Sequence, residues 1–291
     1  MKIHVLHCGY IRIPESLRNS SGNIAGDIRK ATFARKSELV TMPTNAYLIE
    51  HPKGLFLVDT GWSREISPNG EYDKQAVEKI LPRHLATLYN PFVPERMTVH
   101  EQLESRGVRP EDLEMVLITH FDADHVSGLK SVMVAKRIII PEEESYWSSR
   151  TKYALRQVRK LWDIEKAEHL FYRGYPLGPV NRAIDITGDE SIMMVSLPGH
   201  TNGHAGIIVR DGEKYVVIAG DAAFSPHNWE MLTPPGFSAD TGLQIKTLNW
   251  LADVAADPNC VSVLCSHDTA ENDVITVKGQ SKDVVNGKRL K

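Results

Sequence analysis

The chain has 291 residues, 42% of them hydrophobic, and a formal net charge of -3. That apolar content suffices for one large core, and the acidic balance excludes a general nucleic-acid binder, which carries a basic surface. Three cysteines, Cys8, Cys260 and Cys265, form neither a zinc-type pair nor an even disulfide set. They suit a reducing cytoplasm, and no apolar run reaches the length of a membrane span, so neither nucleic acid nor membrane is expected as a partner. Met1 to Val5 opens directly in a strand-like pattern, without the apolar stretch of a secretion signal.

In chain order, Ile3 to Ile13 reads as a strand interrupted at Gly9. Residues 14–38 read as a long loop of the kind that binds or covers ligands. Ala46 to Glu50 and Leu55 to Asp59 form a hairpin, turned by His51-Pro52-Lys53-Gly54. A short helix from about Asp73 to Ile80 sits in the otherwise Pro-rich stretch 61–97. Thr98-Val99-His100-Glu101 has the form of a capping box for a helix running to Arg106 and stopped by Gly107. Met115 to Ile118 is a short apolar run, a buried strand, and a helix can start at Gly128.

Arg137 to Ile140 is a strand ended by Pro141. Glu142-Glu143-Glu144 then opens a helical region to about Tyr172. Its early acids and later bases, Arg150, Lys152, Arg156, Arg159 and Lys160, complement a helix macrodipole. The bases read as a solvated face, and Trp147, Tyr153, Leu161 and Trp162 as core or pocket wall. Ile184 to Ile186 and Ser191 to Leu197 are strands. Ala205 to Arg210 and Lys214 to Gly220 form a hairpin through Asp211-Gly212. Asp240 caps a helix from about Thr241 to Ala255, and Val261 to Ser266 is the last strand. No linker-like tract divides the chain. The expectation is one domain over residues 1–291, with a helical insertion at about 142–173 and a polar tail from about 271.

The chemistry concentrates at strand ends. His120, Asp122, Asp124 and His125 stand within six residues, in the loop after Met115 to Ile118. Imidazole and carboxylate together suit a borderline or hard divalent ion. Pro198-Gly199-His200 follows a second apolar run, Gly220-Asp221 ends a third, and Ser266-His267 ends a fourth. One sheet edge can gather such strand ends, which is where open α/β sheets carry their sites.

These motifs, in this order and with Leu57-Val58-Asp59-Thr60-Gly61 ahead of them, resemble the metallo-β-lactamase superfamily. Within it the chain is most similar to the N-acyl-homoserine lactonases, on the Tyr47-Leu48-Ile49-Glu50 strand, the Gly107 to Leu113 lead-in and the late Ser266-His267-Asp268. The resemblance implies an α/β fold, an αββα sandwich of two mixed β-sheets with helices outside. It implies two divalent metals, zinc foremost. His120, Asp122 and His200 would hold the first, Asp124, His125 and His267 the second, and Asp221 would bridge them. It implies hydrolysis of a lactone or related ester by a hydroxide held between the metals, with Asp124 and Asp221 in the catalytic centre. Asp59 and His204 would support the ligands from behind.

Two positions depart from the family. Asp122 stands where a second histidine is usual, which makes the first site harder and opens it to iron or manganese. Phe224 stands three residues after Asp221, where the lactonases carry a tyrosine, and is the expected substrate contact. The alternatives are hydrolysis of a thioester, amide or phosphodiester, a low-turnover metal-binding protein, or a diiron redox protein. In each enzymatic reading the partner is a small-molecule substrate, and nothing in the sequence sets the oligomeric state.

Overall fold

The computed structural model describes residues 1–19, 38–150, 153, 155–163, 165–269 and 273–279. Most of the loop expected at 14–38, and the tail residues 270–272 and 280–291, lie outside the described residues. Two mixed sheets face each other. The first has the order β12-β1-β2-β3-β4-β5-β6, built from β1 (Lys2–Pro14), β2 (Leu39–His51), β3 (Gly54–Val58), β4 (Leu113–Leu117), β5 (Arg137–Pro141), β6 (Ala167–Leu170) and β12 (Val274–Thr276). The second has the order β11-β10-β9-β8-β7, built from β7 (Ala183–Asp185), β8 (Ile192–Ser196), β9 (Ala205–Asp211), β10 (Lys214–Gly220) and β11 (Cys260–Cys265).

Strand alternation explains the layers. In β1, Ile3 and Val5 point inward with Tyr47, Ile49, Phe56, Val58 and Leu117, against Ile192, Met194, Ile207, Val216 and Ile218 of the second sheet. The opposite face of the first sheet, with Leu6, Leu48, Leu57, Val116 and Ile138, packs on Val99, Leu103, Leu129 and Val132. The outer face of the second sheet packs on Leu248, Leu251 and Val254 of the Thr241–Ala256 helix. This is an αββα sandwich.

Local signals acted where they were strong. Asp73 accepts from the Gln75 and Ala76 amides at the start of the Lys74–Ile80 helix. Thr98 and Glu101 form both halves of a capping box on the Val99–Ser105 helix. Asp240 caps Thr241–Ala256 through the Leu243 amide. Gly9 sits at a register shift between His7 and Tyr10 in β1.

The helical insertion at 142–173 is not what folds. Among the described residues of this stretch, a helix covers Glu142–Ser148, a 3-10 turn covers Arg159–Leu161, and Ala167–Leu170 is β6, parallel to β5. Edge pairing with β5 overrides a charge pattern that suits a helix just as well. Likewise Val274–Thr276 of the expected polar tail pairs antiparallel with β1. An unforeseen helix covers Arg83–Tyr89, after Pro82 at its start. Among the described residues no helix is long and apolar enough to cross a membrane.

The thiols are packing groups. Cys8 and Cys265 are buried and Cys260 is half-buried. Burial pushes the Cys8 thiol up to about 12 and the Cys260 thiol up to about 11. At pH 8 native thiols should therefore react with a chromogenic disulfide at least about two orders of magnitude more slowly than a free cysteine. All three should react after denaturation, and a fast native burst of three would contradict this packing.

Candidate metal centre

The site forms where strands from both sheets end. β3 and β4 run parallel, and β8, β10 and β11 share one direction because β9 lies antiparallel between β8 and β10. Their C-terminal ends therefore lie together. Leu117 leads into the 119–125 loop, Ser196 toward His200, Gly220 into Asp221 and Cys265 toward His267. Cross-sheet bonds close the edge: the Ala205 amide donates to Thr119 O at 2.9 Å, and the Asn45 amide to Ser266 O at 2.8 Å. Gly220 has φ +57°, and a Cβ there would lie 2.8 Å from His204 Nε2, so this turn needs glycine.

Two buried groups of ligand atoms result. Asp124, His125, Asp221 and His267 form one, and His120, His200 and Asp221 the other. Asp221 belongs to both. His125 Nε2 lies 3.2 Å from Asp221 Oδ1. His267 Nε2 lies 3.2 Å from Asp221 Oδ2 and 3.4 Å from Asp124 Oδ2. His200 Nε2 is 3.3 Å and His120 Nε2 3.9 Å from Asp221 Oδ2. Donors about 2.0–2.2 Å from a tetrahedral ion stand roughly 3.3–3.6 Å apart, so these spacings fit. His120 Nε2, His125 Nε2 and Asp221 Oδ1 are buried with no hydrogen-bond partner among the described residues. Buried polar atoms normally have partners, and a divalent ion is one that satisfies this set.

The second layer fixes which nitrogen faces inward. Asp59, at φ 56°, accepts His125 Nδ1–H at 2.8 Å and both the amide and hydroxyl of Thr119 at 2.8 Å. His120 Nδ1 meets Thr119 Oγ1 at 3.0 Å. His267 Nδ1 donates to Pro43 O at 2.8 Å. Each contact leaves Nε2 as the lone pair at the centre. His204 stays behind: its Nε2 accepts the Asp221 amide at 3.1 Å.

The halves differ in charge. Burial opposes protonation of His125, yet Asp221, Asp124 and Asp59 lift it well above the ordinary imidazole value. His267 is raised likewise against burial, mainly by Asp221. This half is short of positive charge. In the other half, burial and then the Arg156 guanidinium push His200 down to about 3.

Asp122 faces the His120–His200 group, with Oδ2 at 3.2 Å from His200 Nε2 and 3.6 Å from His120 Nε2. It is also gripped by Arg156, whose Nε donates to Oδ1 at 2.7 Å and Oδ2 at 2.9 Å and whose Nη2 donates to Oδ2 at 2.6 Å. Burial would raise the Asp122 carboxyl, but Arg156 holds it well below the usual carboxylate range. The bases of 150–160 are thus not all a solvated face, since Arg156 is turned inward. The signal was Asp122 itself, because a third buried carboxylate at one centre, beside Asp124 and Asp221, calls for a nearby cation.

Glu144 is a second residue hidden in the sequence. Its acid triple reads as a helix start that complements the macrodipole, yet Glu144 is fully buried. It accepts the Phe121 amide at 3.1 Å, Gln157 Nε2 at 2.7 Å and Thr201 Oγ1 at 2.6 Å. It therefore ties the metal loop, the Arg156 segment and the His200 loop together. Trp162 stacks on Phe121 at 4.2 Å, and Tyr153 Oη accepts the Asn202 amide at 3.0 Å, so both aromatics are wall.

Phe224 is buried beside the centre, its ring 4.7 Å from that of His267 and 6.0 Å from that of His200. Of the candidate hydroxyl and imidazole donors Tyr47, Ser225 and His227, Tyr47 donates to Cys265 O at 2.8 Å and is committed. His227 is exposed, and Ser225 Oγ is buried without a hydrogen-bond partner among the described residues. The Tyr89 phenol, held well above its ordinary value by burial and by Asp122 and Asp124, also borders the site.

Residues 39–267 match the metallo-beta-lactamase superfamily. The chain belongs to that superfamily. It is 25% identical over 235 residues to the N-acyl homoserine lactonase AttM of Rhizobium radiobacter, covering 78% of this chain and 82% of that one. A probable metallo-hydrolase of Mycobacterium tuberculosis is 26% identical over 249 residues, covering 79% and 76%. Among solved structures, an N-acyl homoserine lactone hydrolase with N-hexanoyl-L-homoserine at its catalytic metal centre superposes with a TM-score of 0.70 at 18% identity, covering 92% and 93%. The dizinc quorum-quenching lactonase AidC gives 0.63 at 16% identity, covering 96% and 91%. This superfamily member is a metallo-hydrolase, and its buried ligand groups suit divalent metals.

Proposed function

We propose that this protein hydrolyses a lactone or related ester, with N-acyl-homoserine lactones as the foremost substrates and zinc as the metal. The observation that carries the reading is the pair of buried ligand groups sharing Asp221, with Phe224 packed beside them. Its relatives named for lactonase activity support the substrate class. Metal ions bound there supply a Lewis acid for the ester carbonyl and a nucleophile at neutral pH.

The chain's own residues do the rest. His120, His125 and His267 present Nε2 inward, His200 Nε2 faces the same centre beside Arg156, and Asp221 spans both groups. Asp124, raised by burial and by its neighbours Asp221 and Asp122, is positioned to carry a proton to the leaving alkoxide. Acid–base help of this kind contributes about 10²–10⁴-fold. Phe224 offers the acyl group an apolar edge. The test is a panel of short- and long-chain lactones, a thioester and bis-p-nitrophenyl phosphate, assayed on protein of measured metal content. Turnover confined to the phosphodiester or thioester would reject the lactone reading.

A second reading, hydrolysis of another bond class, is favoured by Phe224, which keeps the ring of the lactonase tyrosine and lacks its hydroxyl. A lost oxyanion donor costs roughly 10²–10³ in turnover when nothing replaces it. Under the lactone reading, Phe224→Tyr should raise kcat on acyl-homoserine lactones by about tenfold or more, a partial recovery of that loss. A drop in kcat at matched metal content would show that the phenylalanine is adapted to its own substrate.

A further inference from the structure

We infer that Arg156 is a resident cation of the first metal position, so that the chain binds its two metals with unequal affinity. One ion binds tightly at Asp124, His125, Asp221 and His267. The other enters only by drawing His200 Nε2 away from Arg156. The inference rests on the metal centre described above and is independent of the substrate.

The geometry is that of a filled position. A guanidinium has five N–H donors and no acceptor, and Arg156 uses all five within the protein. Nε serves both Asp122 oxygens, at 2.7 and 2.9 Å. Nη1 donates to His200 O at 2.8 Å and to Phe237 O. Nη2 donates to Asp122 Oδ2 at 2.6 Å and to His200 Nε2. The last of these acceptors, His200 Nε2, is an atom a first metal would need. A lone pair that accepts a hydrogen bond cannot coordinate an ion at the same time, and an ion beside a fixed guanidinium meets like charge.

The other group has no such occupant. Among the described residues, His125 Nε2 and Asp221 Oδ1 are without hydrogen-bond partners, and no arginine or lysine forms an ion pair with Asp124 or Asp221. Arg156 does not need to leave the protein for the first ion to bind. Its contacts to Asp122 and to the two carbonyls can remain while Nη2 gives up His200. The side chains of Arg156 and Asp122 are 14% and 3% exposed, so the pair is held by its surroundings.

The substitution at 122 explains why the arginine is there. A carboxylate takes a guanidinium through two parallel bonds, which an imidazole cannot do. Asp122 is therefore the seat of Arg156 and not a ligand in its own right. It adds no net negative charge to the centre, because its charge is matched one to one.

A binding state populated at about 1–10% raises an apparent dissociation constant about 10–100-fold. Calorimetric titration of Zn²⁺ into metal-free wild type should thus resolve a tight first equivalent and a second about 10–100-fold weaker. Arg156→Gln should tighten the second equivalent by about tenfold or more and leave the first within about threefold. Asp122→His, which removes the seat, should act in the same direction and carries the variant arm if Arg156→Gln does not fold. Two equivalents of equal affinity in wild type would overturn the inference, as would a gap unchanged in both folded variants. An inactive protein with unequal affinities would sink the lactonase reading alone. An active lactonase with equal affinities would sink this inference alone.

Discussion

Asp221→Ala should strip metal from both groups and reduce hydrolysis to background. Asp221 is the one residue shared by the two sets of ligand atoms. Its Oδ1 faces His125 Nε2 at 3.2 Å, and its Oδ2 faces His200 Nε2 at 3.3 Å and His267 Nε2 at 3.2 Å. Without it the first group keeps only His120 and His200, and the second loses its central carboxylate while its imidazoles still crowd together. The affinity loss at each position should exceed the about 10–100-fold that removal of an outer hydrogen-bond partner costs. Turnover should fall on the order of 10³-fold or more, a large share of the about 10⁶-fold or greater acceleration typical of enzymes. His267→Ala should lose chiefly the second ion and His200→Ala chiefly the first. Elemental analysis after dialysis, beside kcat/KM on a lactone, checks all three. Full occupancy in Asp221→Ala would reject the shared-ligand arrangement.

Glu144→Ala should be the most damaging change to stability outside the ligands themselves. Glu144 is fully buried and accepts from Phe121, Gln157 and Thr201. Truncation leaves those three donors without their acceptor and opens a small void. Hydrogen bonds to a charged group contribute about 1.5–3 kcal/mol each, and they are not additive. A total loss of about 3–5 kcal/mol follows, at the high end for a single substitution. The midpoint of thermal unfolding should drop by on the order of 10 °C for a chain this long. Metal affinity should fall as well, because Phe121 lies between His120 and Asp122, and Thr201 follows His200. Glu144→Gln keeps one acceptor oxygen and should lose about half as much. Thermal melts of the metal-free proteins separate the packing effect from the binding effect. A melting point within about 2 °C of wild type for Glu144→Ala would show that water or a rearranged neighbour replaces the carboxylate.

These residues also show what a sequence can carry. The ligand set was legible because each member follows a short apolar run. A strand feeding a polar turn places His120, Asp124, His200, Asp221 and His267 at strand ends by local rules alone. The hairpins and the caps at Thr98 and Asp240 were legible for the same reason, since their partners lie within a few residues. The stretch from 142 to 173 was not. Its charge pattern suits a helix as well as it suits what forms, and only an open edge of β5 selects strand for Ala167–Leu170.

The sequence by itself carried the strand-end site with its histidines and aspartates, and the sandwich of two mixed sheets through the resemblance those motifs bear to the metallo-β-lactamase superfamily. Apolar periodicity and motif order are local properties, and they survive reading one residue after another. The tertiary structure alone decided that Asp122 belongs to Arg156, 34 residues away, and that Glu144 is an internal tie and not a solvated acid. A buried and an exposed charge look identical in sequence. Their difference lies in the desolvation of the group and the partner that offsets it, and both are set by contacts between segments distant in the chain.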